Sequence, residues 1–218
     1  MTSYVLDVVT VSPLSKNKPK QAIVLCHGYG GDGKDISTLA INWQRFLPNA
    51  IFLCPNAPEI CEVNPRGFQW FDSISDKEEI ILEKSLLAEE KINTFLNQVF
   101  DNFQLEPSNS ALVGFSQGCM IAIQVALKKQ EQINCLIGYS GKVINKKHLS
   151  NNIQSKPKIF LMHGANDTIV SPTHLLEAKE YLNNHGLKIK TKIFNDCEHR
   201  IPIEGSSLGL GFLKKNLL

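Results

Sequence analysis

Apolar residues in this chain fall into short unbroken runs, separated by stretches in which they recur every three or four positions. The runs cover residues 4–11, 22–26, 50–54, 111–115, 134–139, 159–162 and 189–194. Several are continuous rather than alternating, as a strand of a parallel sheet must be when both its faces are buried. The helical stretches cover residues 36–46, 78–103, 117–130, 173–184 and 207–217. In the longest, Ile81, Ser85, Ala88, Ile92, Phe95, Val99 and Phe103 form one stripe, with Glu89, Glu90 and Lys91 off it. Alternation of strands and helices predicts an α/β chain with a mostly parallel central sheet and helices on both faces. No helix follows residues 4–11, which are therefore expected to form an antiparallel edge strand. No repeat, low-complexity tract or Pro/Gly-rich linker divides the chain, so one domain over residues 1–218 is expected. Residues 55–75 carry Pro55, Pro58, Pro65 and Gly67. They form too long a segment for a mere connector, and long ordered loops are often binding elements.

Composition narrows the function classes. A net charge of +2 with dispersed lysines gives nucleic-acid binding no support; Lys146-Lys147 and Lys214-Lys215 read as solvated surface pairs. No window approaches the roughly 18 consecutive apolar residues that a membrane span needs. At most peripheral membrane contact is expected. The first residues, Met1 to Asp7, lack the basic region and apolar core of a signal peptide. The six cysteines include no Cys-x-x-Cys pair and sit mainly within apolar runs, which suits a reduced, cytoplasmic protein.

In an open parallel sheet, chemistry gathers at the carboxyl ends of the strands. Past residues 22–26 comes His27-Gly28-Tyr29-Gly30-Gly31. The run 111–115 leads into Gly114-Phe115-Ser116-Gln117-Gly118, with a helical stretch directly after it. Past residues 159–162 comes His163-Gly164-Ala165-Asn166-Asp167, and past 189–194 comes Asn195-Asp196-Cys197-Glu198-His199. Small neighbours around Ser116 suit a tight strand-to-helix turn that holds a serine hydroxyl proud of the sheet. A serine needs a base to remove its proton, and that base needs an orienting carboxylate. His199 and Asp167 are the candidates for these roles. Asp196 is a rival acid, but a separate strand end gives a better approach to the second imidazole nitrogen than a position three residues before the histidine. The N–H groups of Gln117 and Tyr29 are candidate donors to a developing oxyanion.

Other readings of these residues carry less weight. Ser116 could serve only as a helix cap. The His27–Gly31 loop lacks the spacing of a dinucleotide or P-loop fingerprint. His27 and His163 are expected to hydrogen-bond to loop backbone. A zinc site from His27, His163, His199 and Cys197 finds no two ligands at helical spacing, so no metal is expected. Cys119 and Cys197 are thinkable nucleophiles, but Ser116 holds the turn. Gln69, Trp70 and Phe71 are candidate substrate-binding residues, with an aromatic face lining an acyl pocket above Ser116. One of the two aromatic rings is expected to anchor the loop to the core instead.

Taken together, these segments resemble the carboxylesterase/acyl-protein thioesterase/lysophospholipase family of small α/β-hydrolases. The matching pieces are Leu25 to Gly33, Cys54-Pro55-Asn56-Ala57-Pro58, Trp70-Phe71-Asp72, Gly114 to Gly118, and His163 to Asp167 followed by Ile169-Val170. The resemblance implies an α/β-hydrolase fold without a large lid domain and a serine esterase that needs no cofactor. The implied partners are a small acyl ester, a lysophospholipid or an acylated protein, with the enzyme a monomer or homodimer. It puts Ser116, Asp167 and His199 on the family's catalytic positions, and Tyr29 and Gln117 on its oxyanion positions. Tyr29 stands where a leucine-like residue is usual, Cys119 where a second glycine is usual, and Asp196-Cys197-Glu198 where the approach to the histidine usually contains glycine. Gly141-Lys142-Val143 stands where a Leu-Pro often follows the strand. Such changes bear on pocket shape more than on chemistry. A dienelactone-hydrolase-like enzyme or an inactive binding protein of the same fold is the competing reading.

Overall fold

The computed structural model describes residues 4–72 and 77–218. In chain order the first elements are β1 (Val8–Val11), β2 (Gln21–Cys26), α1 (Gly33–Gln44), β3 (Ala50–Pro55), β4 (Glu59–Ile60), β5 (Phe68–Gln69) and α2 (Glu78–Phe103). They are followed by β6 (Ser110–Phe115), α3 (Gln117–Lys128), β7 (Cys135–Tyr139), α4 (Lys146–Ser150), β8 (Lys158–Gly164), α5 (Thr173–Asn184), β9 (Ile189–Phe194) and α6 (Ile203–Leu217). Seven strands form one sheet in the order β1-β3-β2-β6-β7-β8-β9. β1 lies at its edge, antiparallel to β3, and every other pairing in that sheet is parallel. The edge strand begins at Val8, later than the apolar run suggests.

Period-two geometry explains why the strand runs are continuous. In β2, Ala22, Val24 and Cys26 face a core shared with α2, α3 and α5, while Ile23 and Leu25 face α1 and α6. β8 divides the same way, with Ile159 and Leu161 on one side and Phe160 and Met162 on the other. Helices therefore cover both faces, which is the α/β-hydrolase architecture.

Several local features depart from the hydrophobic pattern. α1 starts at Gly33 because the Asp32 carboxylate accepts from the Asp35 N–H at 2.7 Å, a capping bond that apolar spacing does not register. Glu89, expected on the solvated side of α2, is 3% exposed and ion-paired to Lys128 of α3. The face of α2 covered by α3 is thus wider than one stripe. Burial raises the Glu89 pKa against the pull of Lys128. The short β4–β5 hairpin sits inside the 55–75 segment, of which residues 73–75 lie outside the described region.

Candidate active site

The turn after β6 is built by two close approaches. A Cβ on Gly114 would lie 2.5 Å from the Cys119 Cα, and one on Gly118 would lie 2.3 Å from the Cys26 carbonyl oxygen. Only glycine lets α3 start this near β2 and β6. Between them Ser116 adopts φ 52° and ψ −119°, a conformation an L-residue enters only under constraint. Its N–H donates to the Tyr139 carbonyl at 2.8 Å, while its side chain makes no capping bond to α3. The hydroxyl points to the His199 Nε2 instead, at 3.0 Å.

The remaining partners arrive from β8 and β9. His199 Nδ1 lies 2.8 Å from Asp167 Oδ2, and since a carboxylate only accepts, Nδ1 carries the proton and Nε2 is left to accept from Ser116. Backbone bonds from Ala165 N to Phe194 O (2.8 Å) and from Asn166 N to Cys197 O (2.9 Å) tie the two loops together. The Phe115 ring packs on the imidazole with centroids 4.9 Å apart. Asp196 is exposed and lines a separate cavity with Lys192 and Pro202.

Asp167 is held from several sides. Its Oδ1 accepts from Ile169 N at 3.0 Å and Val170 N at 2.9 Å. Burial alone would raise its pKa, but the bonds from Val170, His199 and Ile169 outweigh that and hold it below the ordinary carboxylate value. His163, read from sequence only as a backbone partner, contributes more than that. Its Nε2 is 2.8 Å from the Val170 carbonyl oxygen, which can only accept, so Nε2 is protonated. The same N–H lies 3.2 Å from Asp167 Oδ2. Burial pushes the His163 pKa down against the pull of Val170 and Asp167. His27 is pinned in the other tautomer. Its Nδ1–H donates to the Gly28 carbonyl at 2.7 Å and its Nε2 accepts from Ala57 N at 3.0 Å. Burial pushes the Cys119 thiol up to about 12, which makes it a poor source of thiolate.

Two clefts meet at Tyr29. One, of about 260 Å³, is lined by Ser116, Gln117, Phe71, Met120, Ile144 and Val170 among others. The second, of about 370 Å³, is lined by His199, Phe115, Ile36, Leu39, Arg200 and Ile201 among others. Tyr29 lies in the loop after β2. That loop is fixed by Gly30 N to Phe68 O (2.9 Å), Asn64 Nδ2 to Gly30 O (2.8 Å) and the Trp70 indole N–H to His27 O (2.9 Å).

The adjacent aromatics are both buried but make different contacts. Phe71 faces the cleft, whereas Trp70 is 1% exposed and packs beneath the His27 loop, so Trp70 does not line an acyl pocket. Gln69 is also turned away: its Nε2 donates to Glu59 Oε2 at 3.1 Å and its Oε1 accepts from Glu62 N at 3.3 Å. A feature without a sequence signal holds Phe71 in place. The buried Gln117 amide accepts from Trp70 N at 2.8 Å and donates to Phe71 O at 2.7 Å. Trp70→Ala is therefore expected to destabilise the fold by about 3–5 kcal/mol, as loss of a buried indole does. Thermal and denaturant melts measure this. A melting temperature within a degree of the parent would contradict the placement.

Comparison with known proteins gives a consistent picture. The family model described as phospholipase/carboxylesterase matches residues 8–217. Acyl-protein thioesterase 1 of Emericella nidulans is 27% identical over 201 residues, covering 84% of this chain and 83% of that protein. Esterase YpfH of Escherichia coli is 23% identical over 204 residues, covering 92% and 85%. Among solved structures, esterase PE8 superposes with a TM-score of 0.92 at 32% identity, covering 97% of this chain and 99% of that one.

Proposed function

Since the chain belongs to the phospholipase/carboxylesterase family of ester and thioester hydrolases, we propose that it works through an acyl-enzyme formed on Ser116. The observation that carries this reading is the hydrogen-bonded series from Ser116 Oγ through His199 to Asp167, at 3.0 and 2.8 Å. Ser116 Oγ attacks the acyl carbon while its proton passes to His199 Nε2. The negative oxygen then formed accepts from the N–H groups of Gln117, at the start of α3, and Tyr29; one such donor is worth about 3 kcal/mol of barrier. Collapse of the tetrahedral species breaks the bond to the leaving oxygen or sulfur, which takes the proton from His199. Water then repeats the sequence on the acyl-enzyme and frees the acid. Asp167 holds Nδ1–H throughout and stabilises the imidazolium.

The side on which His199 stands supports a placement of substrate in the two clefts. Its proton must reach the leaving atom, so the leaving group occupies the cleft of Phe115, Arg200 and Ile201. The acyl chain then lies against Phe71, Met120, Ile144 and Val170 on the far side of Ser116. The substrate class is an acyl ester or thioester of a small alcohol, a lysophospholipid or a protein. Six unpaired, buried thiols suit a reducing compartment such as the cytoplasm. Among the described residues, no helix is long and apolar enough to cross a membrane.

A fluorophosphonate probe followed by peptide mapping tests the reading directly. One equivalent is expected on Ser116, with loss of hydrolysis in proportion. A folded protein that stays unlabelled, or is labelled elsewhere, would point to a binding protein or a different nucleophile.

A further inference from the structure

The acyl cleft does not end at its apolar wall. Ile81, Lys142, Ile144 and His174 line it and also line an adjoining cavity of about 420 Å³, whose floor adds Lys146 and Lys147. Lys142 stands where the two spaces join, on a stretch of chain anchored at both ends. On one side, Gly141 packs so tightly on α3 that a Cβ there would lie 2.5 Å from the Cys119 sulfur. On the other, the Gln124 side chain donates to the Ile144 carbonyl at 2.6 Å. The lysine therefore leaves a fixed wall rather than a loose surface loop.

Among the described residues that line this path, basic groups outnumber acidic ones. Among the described residues, Glu177 is the acidic one that lines the outer cavity. It is already shared by Lys146 Nζ at 3.3 Å and His174 Nδ1 at 3.1 Å. Those contacts hold its carboxyl below the ordinary value, His174 contributing most. Among the described residues, Lys142 and Lys147 have no ion-pair partner. An apolar passage that leads from a nucleophile to unneutralised ammonium groups favours a ligand with an apolar spacer and a negative end.

We propose that this cleft recognises esters or thioesters whose acyl part carries an anionic group, a carboxylate or a phosphate, with Lys142 as the specificity-determining residue and Lys147 beyond it. The inference rests on the reading of Ser116 as nucleophile. An ammonium is a compact point charge, so it contributes attraction without demanding one anion geometry. Lys142 acts on binding, and the proton transfers at Ser116 and His199 are unaltered by it.

The test uses 4-nitrophenyl esters of six-carbon acids that end in methyl, carboxylate, phosphate or ammonium, so that the leaving group never changes. The parent protein is expected to favour the carboxylate and phosphate esters over the ammonium ester by about tenfold or more in kcat/KM at low salt. That preference is expected to shrink several-fold as ionic strength rises to about 0.5 M. Lys142→Gln should reduce kcat/KM for the anionic esters about five- to tenfold more than for the methyl ester, and Lys142→Glu should turn the preference toward the ammonium ester. A carboxylate preference without a phosphate preference, or the converse, identifies which anion the site takes. Equal ratios in parent and both variants, with all esters turned over, would overturn the anionic subsite and leave the esterase reading standing. Failure of every ester with folded parent protein would overturn both.

Discussion

Ser116→Ala is expected to lower kcat for ester hydrolysis on the order of a million-fold, with the fold intact. The loss is large because in the proposed mechanism every covalent step passes through this oxygen, and neither His199 nor Asp167 can act on substrate without it. What is expected to persist is the contribution of binding and of the proposed Tyr29 and Gln117 donors, worth about a thousand- to ten-thousand-fold over water. Folding should be spared, because the hydroxyl bonds to His199 and caps nothing. The strained φ of 52° is also no worse for alanine than for serine. Single-turnover assays beside thermal melts provide the check. Near-parental turnover in a folded Ser116→Ala protein would remove the serine mechanism.

The second large effect is expected at Asp167. Asp167→Asn should reduce kcat about ten-thousand-fold, and the surroundings of Asp167 say why an isosteric change is so severe. The N–H groups of Ile169 and Val170 hold Oδ1, so an asparagine must keep its carbonyl there. Its NH₂ group then occupies the place of Oδ2, facing the Nδ1–H of His199 and the Nε2–H of His163. Donor meets donor twice. The relief open to His199 is to move its proton to Nε2, which then cannot accept from Ser116. Asp196→Asn, an exposed change outside this cluster, should alter kcat less than about threefold. The reverse ranking would reassign the acid.

The strands and the convergence of Ser116, Asp167 and His199 were legible because both follow from local rules. Buried parallel strands need continuous apolar runs, and each of these three residues follows the carboxyl end of one. What escaped sequence reading depends on facing partners. Trp70 and Phe71 are equally apolar, adjacent and buried, and residue type does not register that Trp70 packs on His27 while Phe71 lines the cleft. Glu89 looked solvated because its partner, Lys128, is contributed by a different helix. α4 and the β4–β5 hairpin are too short to establish a period. The second hydrogen bond of His163 arises because the chain curls from Asp167 back to Val170, a path with no signature in residue type.

The amide of Gln117 links two properties that evolution would gain by varying separately. In the proposed mechanism its backbone N–H serves the oxyanion, while its side chain holds Trp70 and Phe71, the latter lining the cleft beside Ser116. Under that mechanism, changing residue 117 is expected to disturb rate and selectivity together, so selectivity is varied more freely at Met120, Ile144 and Lys142, which line the same cleft. A directed library that leaves 117 untouched and varies those three positions would explore chain length and charge without shifting the turn on which turnover depends.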